Sequence, residues 1–187
     1  MYGGANFNFA NDRFNKPLSA ISLQTGYLNI PASDFFGTGK FTIMAWVNVR
    51  NYNTWSRLVD FGLSGMNKYD NIAVALSLSN TGMPTFEIRI GTVKEVGKIQ
   101  PTKMLSLGVW EHLACTVDYP NGYTYINGNI EIRSISNFNF TTEIRDSNFL
   151  GRSWNYPLDA DADADIDDLK IFNRALSQQE ILDEMNS

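Results

Sequence analysis

Large apolar residues alternate with polar ones in short runs through most of the chain before residue 174, and turn residues separate these runs. In Phe41–Val49, every second residue from Phe41 onward is apolar, while Met44 and Trp46 fall on the opposite face. Trp110–Ile126 alternates on both sides of Pro120-Asn121-Gly122, which predicts a β-hairpin. Alternation with a period of two is typical of antiparallel strands that bury one face.

Further strands are predicted on both sides of these two segments. Ile72–Leu78 carries large residues at even positions and small ones at odd positions, which fits a strand with core on one side and close packing on the other. The other predicted strands are Ser19–Leu23 and Tyr27–Ile30 around a turn at Gln24-Thr25-Gly26, Leu58–Phe61, Phe86–Ile90, Ile130–Ile132 after an Asn127-Gly128 turn, and Glu143–Leu150. The pattern favours one all-β domain over residues 1–187, an antiparallel two-sheet jelly-roll sandwich.

The end of the chain changes period. A short apolar strand, Leu169–Phe172, precedes Ser177 and Glu180, whose S-x-x-E spacing is typical of a capping box at a helix start. Ile181, Leu182 and Met185 then recur on one helical face. The sequence therefore predicts one short C-terminal helix that covers the sandwich.

The charge is concentrated in one place. The chain has 187 residues and a formal net charge of −5, and six aspartates lie between residues 159 and 168. We expect this alanine-diluted run to be an acidic loop. No basic stripe is present, which argues against nucleic acid, and no apolar run approaches the roughly 20 residues of a membrane span. Because Met1 is not followed by a signal-peptide pattern, we expect a secreted form to be a domain of a larger extracellular or cell-surface protein.

Catalytic patterns are weak. His112 and Cys115 are the only histidine and cysteine, and their spacing on one strand predicts that they point to opposite faces. The E-x-D-x-E pattern of jelly-roll glycoside hydrolases is absent from the sequence. We therefore predict no catalytic residues and no enzyme activity.

Five segments together resemble laminin-G-like domains of the concanavalin A-like jelly rolls. They are Phe41–Val47, Trp110–Ala114, Tyr125–Gly128, Asn148–Gly151, and Ile166–Ser177 with Glu180-Ile181. The resemblance implies the sandwich fold, a recognition role without catalysis, and calcium binding near the acidic run.

Calcium is one of two interpretations of the aspartates. Strand-like backbone would place Asp163, Asp165 and Asp167 on one side, where they could share a hard cation with oxygen ligands. The run is not an EF-hand loop, because Ala164 and Lys170 occupy the positions of the required Gly and Glu. The alternative is a solvated acidic loop in which Asp167 or Asp168 bonds nearby backbone.

Aromatic residues in the predicted loops are the candidates for ligand binding, because sugar sites combine flat rings with a few polar groups. These candidates are Trp55 with Arg57, Tyr69 with Asn71, and Trp154 with Tyr156. Alternatively, the rings close the ends of the core.

The sequence thus predicts a non-catalytic recognition module that binds a glycan or an extracellular protein, with one Ca²⁺ and without membrane insertion. A protein-interaction scaffold without sugar or metal, and a carbohydrate-active hydrolase, are the rival hypotheses.

Overall fold

A computed structural model describes residues 3–36, 39–64, 70–90, 93–135 and 143–187. It contains strands and one helix in the following order: β1 Gly4–Ala10, β2 Ala20–Ile30, β3 Lys40–Val49, β4 Arg57–Gly62, β5 Asn71–Ala75, β6 Thr85–Ile90, β7 Val93–Ile99, β8 Trp110–Asp118, β9 Asn121–Ile126, β10 Asn129–Ile135, β11 Ser147–Leu150, β12 Ala162–Phe172 and α1 Gln178–Met185. The all-β prediction with one short C-terminal helix is confirmed.

The strands follow one antiparallel path, β10-β9-β8-β3-β12-β2-β11-β4-β5-β6-β7, and β1 pairs with β2 beside it. The path folds over so that β7 lies against β9 and β10, which nearly closes the sandwich. Apolar side chains from both layers fill the interior between them. The connecting loops and the outward faces of the strands are therefore the parts left for recognition.

Alternation places β3 at the centre of this interior. Its core face runs from Phe41 to Val49 at every second residue, and all of these side chains are buried. Trp46, on the opposite face, packs edge-on against His112 of β8 at 5.4 Å between ring centroids. Trp46 therefore lies on the outer face of the sheet and is partly exposed.

Ala20–Ile30 is one continuous strand, whereas the sequence predicted two strands around a turn. Thr25 adopts a positive φ of 52° next to Gly26, and the registers of β2 with β1 and β12 both shift nearby. A side chain at position 26 would place its Cβ 2.2 Å from the Asn6 carbonyl oxygen, so β1 can approach only because residue 26 is glycine. The residues that predicted a turn, Thr25 and Gly26, therefore form a bulge-like irregularity within one strand.

The Asp-Ala run is also a strand and not a loop. Ala162, Ala164 and Ile166 of β12 face the core, and the alternate aspartates face outward. The register with β3 shifts after Asp167, where Asp168 has a φ of 47°. This irregularity is a β-bulge, and it gives the apolar second half of the strand a new register.

The C-terminal helix begins at the predicted capping box. The Ser177 hydroxyl accepts from the Glu180 amide, and the Glu180 carboxylate accepts from the Ser177 amide at 2.8 Å. Ile181 is fully buried and packs with Met44 on the outer face of the β3 sheet. Among the described residues, no helix is long and apolar enough to cross a membrane.

Candidate functional site

Strands β4, β5 and β6 carry charged and small residues on the face turned away from the core. In the middle row of this face Asp60 lies opposite Ala73, and Ala73 lies opposite Glu87. The next row runs from Ser147 of β11 through Gly62 and Asn71 to Arg89. Because sheet faces alternate with residue parity, the apolar neighbours of these residues fill the core on the other side.

This outward face is buried although it is charged. We name five of its residues the buried strip: Arg57, Asp60, Asn71, Thr85 and Glu87. Each has at most 1% of its surface exposed. The small odd positions of β5 predicted close packing, and Ala73 and Ala75 are indeed fully buried.

Arg57 is the centre of the buried strip. Its Nη2 lies 3.4 Å from a Glu87 carboxylate oxygen and 3.5 Å from one of Asp159, and its Nε lies 3.8 Å from Asp60. One guanidinium therefore faces three carboxylates in a nearly dry environment. Buried charges of this kind are tolerated only when they are paired.

Pairing within the buried strip is incomplete. Among the described residues, Arg57 Nε and Nη1, Asn71 Oδ1, Thr85 Oγ1 and Glu87 Oε1 have no hydrogen-bond partner. Buried polar atoms are nearly always bonded, so a cluster of exceptions on one face needs an explanation such as a bound molecule or water. We take this as the first indication of a ligand-binding face.

Burial raises the pKa of Asp60 to about 6, and this effect outweighs the opposing influence of Arg57 and of donors from Asn71 and Trp154. The Asn71 amide donates to Asp60 at 2.9 Å, and the Trp154 backbone N–H donates at 3.2 Å. A hydrolase mechanism would need two carboxylates, and Asp60 and Glu87 lie on the two strands that flank β5. Both residues are fully buried. A glycosidic bond could not lie between them in this arrangement.

Two tryptophans lie beside this face, each next to a cation. The Arg57 guanidinium lies 5.5 Å and the Lys98 ammonium 5.6 Å from the Trp55 ring centroid. The Arg89 guanidinium lies 5.8 Å from the Trp154 ring. Both rings are partly exposed, so they offer apolar surface at the edge of a charged region.

A pocket of about 360 Å³ opens beside Trp154. We call it the Trp154 pocket. Its lining comes from the end of β4, from β11 and from the loop that follows β11: Leu63, Ser64, Ser147, Phe149, Arg152, Ser153, Trp154 and Tyr156. This size and this mixture of rings and hydroxyl groups are typical of small-molecule sites.

Arg152 organises the aromatic wall of the Trp154 pocket. Its guanidinium lies 3.4 Å from the Tyr27 ring centroid and 3.9 Å from that of Tyr156. It also binds Asp161 with two hydrogen bonds, of 2.8 Å from Nε and 2.6 Å from Nη2. The stack fixes one face of the Tyr156 ring, while half of that residue stays exposed.

Sequence reasoning found part of this site. Trp154 and Tyr156 line the Trp154 pocket, and Trp55 contacts Arg57 as paired in the prediction. Arg57 and Asn71 belong to the buried strip, so neither is on an open surface. Tyr69 lies outside the described residues.

The sequence analysis missed the other six residues that line the pocket: Leu63, Ser64, Ser147, Phe149, Arg152 and Ser153. Residue parity could have found Phe149, because Leu150 next to it is buried in the core.

The predicted metal ligands are arranged as ion pairs with arginine. Asp163, Asp165 and Asp167 do lie on one outer face of β12. The Arg50 guanidinium binds both Asp163, at 2.8 Å, and Asp165, while Arg13 binds Asp167 and Asp168, each at 2.7 Å. We call these six residues the Asp–Arg ladder.

As arranged, the ladder does not fit a calcium ion, because a guanidinium takes the place where the carboxylates would converge. The part of the chain that the structure describes holds no group of three or more acidic, histidine or cysteine side chains placed for a metal. Calcium binding stays a prediction, and none of its three proposed ligands lines the Trp154 pocket.

The single histidine and the single cysteine are separated as predicted. Cys115 is part of the core, where burial raises the pKa of its thiol to about 12. His112 packs on Trp46 at the outer face. Its pKa is lowered to about 4, mostly by burial and to a smaller extent by the positive charges of Lys170 and Arg13. Neither group is placed to activate the other.

Comparison with known proteins adds to this geometry. A family model described as the concanavalin A-like lectin/glucanases superfamily matches residues 23–182. Curated protein sequences give no match.

Three solved structures with the same fold illustrate the similarity. Domain 4 of AbnA, a GH43 extracellular arabinanase from Geobacillus stearothermophilus in complex with arabinotriose, is 19% identical, with 95% of this chain and 80% of that chain covered and a TM-score of 0.72. The binding domain of Paraclostridial Mosquitocidal Protein 1 is 17% identical over 99% of this chain and 46% of that one, with a TM-score of 0.70. The Ruminococcus gnavus IT-sialidase CBM40 bound to α2,3-sialyllactose is 15% identical over 84% of this chain and 95% of that one, with a TM-score of 0.61.

Proposed function

Because this chain belongs to the concanavalin A-like lectin/glucanases superfamily, we propose that it is a non-catalytic glycan-binding module whose binding site is the Trp154 pocket. The observation that carries the proposal is the pocket itself, where Trp154 and Tyr156 stand beside serine hydroxyls and a fixed arginine. Flat rings bind the apolar faces of sugars, and fixed polar groups bind their hydroxyls.

Structural neighbours support the class of ligand. The arabinanase domain is in complex with arabinotriose, and the sialidase module is bound to sialyllactose. At these identities the likeness shows the fold alone, so the ligand of this chain is inferred from its own pocket. The extracellular origin of the arabinanase also supports an extracellular role, as a domain of a larger protein.

Absence of catalysis is part of the proposal. The carboxylates of Asp60 and Glu87 are buried and held through Arg57, so they support the face and do not reach a substrate. A glycan incubated with the protein should be recovered intact by mass spectrometry. Cleavage products at stoichiometric enzyme would favour the hydrolase hypothesis.

Tyr156→Ala tests the location of the site. Half of Tyr156 is exposed, so its removal should lower glycan affinity about tenfold or more while the folded state loses little stability. Isothermal titration calorimetry against an array of oligosaccharides measures the first effect, and a thermal melt measures the second.

Phe9→Ala is the matched control, since Phe9 is 57% exposed on β1 and does not line the Trp154 pocket. Equal affinity of wild type and Tyr156→Ala would place the glycan site elsewhere. No binding of any glycan by the wild type would favour the scaffold hypothesis.

A further inference from the structure

We infer that the Trp154 pocket selects neutral, hydroxyl-rich saccharides and discriminates against acidic ones. This inference rests on the proposed glycan-binding function and names the ligand class for the same site. It follows from the way in which every described charge around the pocket is already engaged.

Arg152 is the cation that lines the pocket, but its charge is matched. Asp161 binds it with two parallel hydrogen bonds, and the side chains of Arg152 and Asp161 are 18% and 7% exposed. Bidentate pairs of this kind are the strong form of a salt bridge, so a ligand carboxylate would have to compete with a better-placed one. Arg152 serves to hold the tyrosine rings in place.

Arg89, next to the Trp154 ring, has a weaker pairing, through one contact with a Glu87 carboxylate oxygen that Arg57 also approaches. Its Nη2 lies 3.5 Å from the Glu87 carboxylate, which is fully buried. The two arginines near the pocket therefore present little net positive charge to an anionic sugar.

Carboxylates also set the direction of the hydroxyl groups in the lining. Ser64 donates its hydroxyl hydrogen to Asp146 at 2.7 Å. Ser153 is buried, donates its own to Asp159 at 2.7 Å and already accepts from the Asn155 N–H at 3.1 Å. A hydroxyl whose hydrogen is already donated can only accept from a ligand. A carboxylate or sulfate on a sugar also only accepts, so it finds no partner at these two positions.

Asn71 does not line the pocket, but it lies in the same row of the sheet as Ser147 of the lining, with Gly62 between them. Its Nδ2 donates to the Asp60 carboxylate, which fixes the orientation of the amide and makes Oδ1 the remaining acceptor. This Oδ1 has no hydrogen-bond partner among the described residues, although Asn71 is fully buried.

The lining thus offers acceptors, ring faces and matched charges. A sugar hydroxyl can donate to the acceptors, while the C–H faces of the same sugar ring stack on Tyr156 or Trp154. An acidic sugar would meet the Asp146 carboxylate beside Ser64, and Arg152, the cation among the described lining residues, is already paired with Asp161. Neutral saccharides are the class that satisfies all three features.

A calorimetric titration of the full chain with matched trisaccharides tests this inference. The neutral probes are arabinotriose, xylotriose and cellotriose, and the acidic probes are trigalacturonic acid and 3′-sialyllactose. We expect at least one neutral probe to bind about tenfold more tightly than either acidic probe. Equal or tighter binding of an acidic probe would overturn the inference and leave the proposed glycan-binding function intact, whereas binding of none would overturn both.

Asp161→Asn provides a test in the opposite direction. It removes the charge that matches Arg152, so the affinity for trigalacturonic acid relative to the neutral probes should rise about tenfold. Asp163→Asn removes an equal charge from the Asp–Arg ladder and should leave this ratio unchanged. An unchanged ratio in a folded Asp161→Asn protein contradicts the inference, and the wild-type titration decides the matter if that variant does not fold.

Discussion

The buried strip and the Asp–Arg ladder use the same chemistry with opposite results. In the ladder, Arg50 bonds Asp163, Asp165 and the Leu23 carbonyl oxygen, so each of its guanidinium nitrogens donates. No side-chain atom of the ladder is among the buried, unpartnered atoms of the described residues. In the buried strip, Arg57 faces three carboxylates and still leaves two of its nitrogens without a hydrogen bond.

The difference indicates what each region is for. A fully bonded, half-buried set of charges at a sheet surface holds strands together and needs nothing further. A dry, incompletely bonded set beneath exposed tryptophans has capacity left for a ligand or for water. In this chain, the run of closely spaced aspartates therefore has a structural role. The buried polar atoms without hydrogen-bond partners indicate the face used for recognition.

The largest effect should come from Arg57→Met, which leaves Asp60 and Glu87 buried without their shared cation. Loss of one partner of a buried ion pair costs about 3–5 kcal/mol of unfolding free energy. Urea denaturation at pH 7 measures it. A loss below about 1 kcal/mol would mean that Arg57 and the ladder arginines are equivalent, and the comparison between the regions would fail.

The second effect concerns pH. The folded-state pKa of Asp60, about 6, lies above the ordinary 3.8, so the stabilisation linked to its proton is complete below about pH 4 and is lost as the pH rises through 6. Its size is on the order of 2–3 kcal/mol. His112 acts in the opposite sense, because its lowered pKa makes the folded state less stable as the pH falls from 6.5 toward 4.

The Asp60→Asn variant separates the contributions of Asp60 and His112 to the pH dependence of stability, because it removes the Asp60 carboxyl group and keeps His112. The stability of the wild type relative to this variant should increase as the pH falls from 6 to 4, in urea denaturation at matched ionic strength. A difference that does not change with pH would show that Asp60 has an ordinary pKa.

A smaller effect is expected from Arg50→Met in the ladder. The side chains of Asp163 and Asp165 are 17% and 16% exposed, so water partly solvates them when the arginine is removed. We expect a loss of about 1–2 kcal/mol that shrinks in 0.5 M salt. A loss as large as that of Arg57→Met, measured under the same conditions, would refute the distinction between the regions.

The smallest effect should be that of calcium. With Arg50 and Arg13 in place, 1 mM CaCl₂ should shift the melting temperature by less than about 1 °C, because only a ligand that binds the folded state raises it. A rise of several degrees that a chelator reverses would support the calcium prediction and contradict the structural role of the ladder.

Local features of the sequence predicted the fold well. The alternation of β3, the Asn127-Gly128 turn and the capping box at Ser177 each depend on neighbouring residues alone. β1 was missed because nearly all of its side chains are exposed, so pairing with β2 produces no pattern of burial. Ala162–Asp168 was mistaken for a loop because its partner strand β3 lies far away in sequence.

The candidate site was predicted less completely for the same reason. Loop position identified Trp154 and Tyr156, and parity placed Asp163, Asp165 and Asp167 on one face. The arginines that pair with those aspartates are distant in sequence, with Arg13 separated from Asp167 by 154 positions. Nothing local to the aspartates distinguishes a metal from a guanidinium as the cation between them.

The four tryptophan indole N–H signals offer the most direct test of the central claim, in a two-dimensional NMR spectrum recorded with a mixture of arabinotriose, xylotriose and cellotriose. Trp154 lines the pocket, and Trp46 packs on the opposite sheet against His112. The account predicts that the Trp154 signal shifts with added sugar and that the Trp46 and Trp110 signals stay in place. A fixed Trp154 signal, or a shift of Trp46 or Trp110 instead, would contradict it.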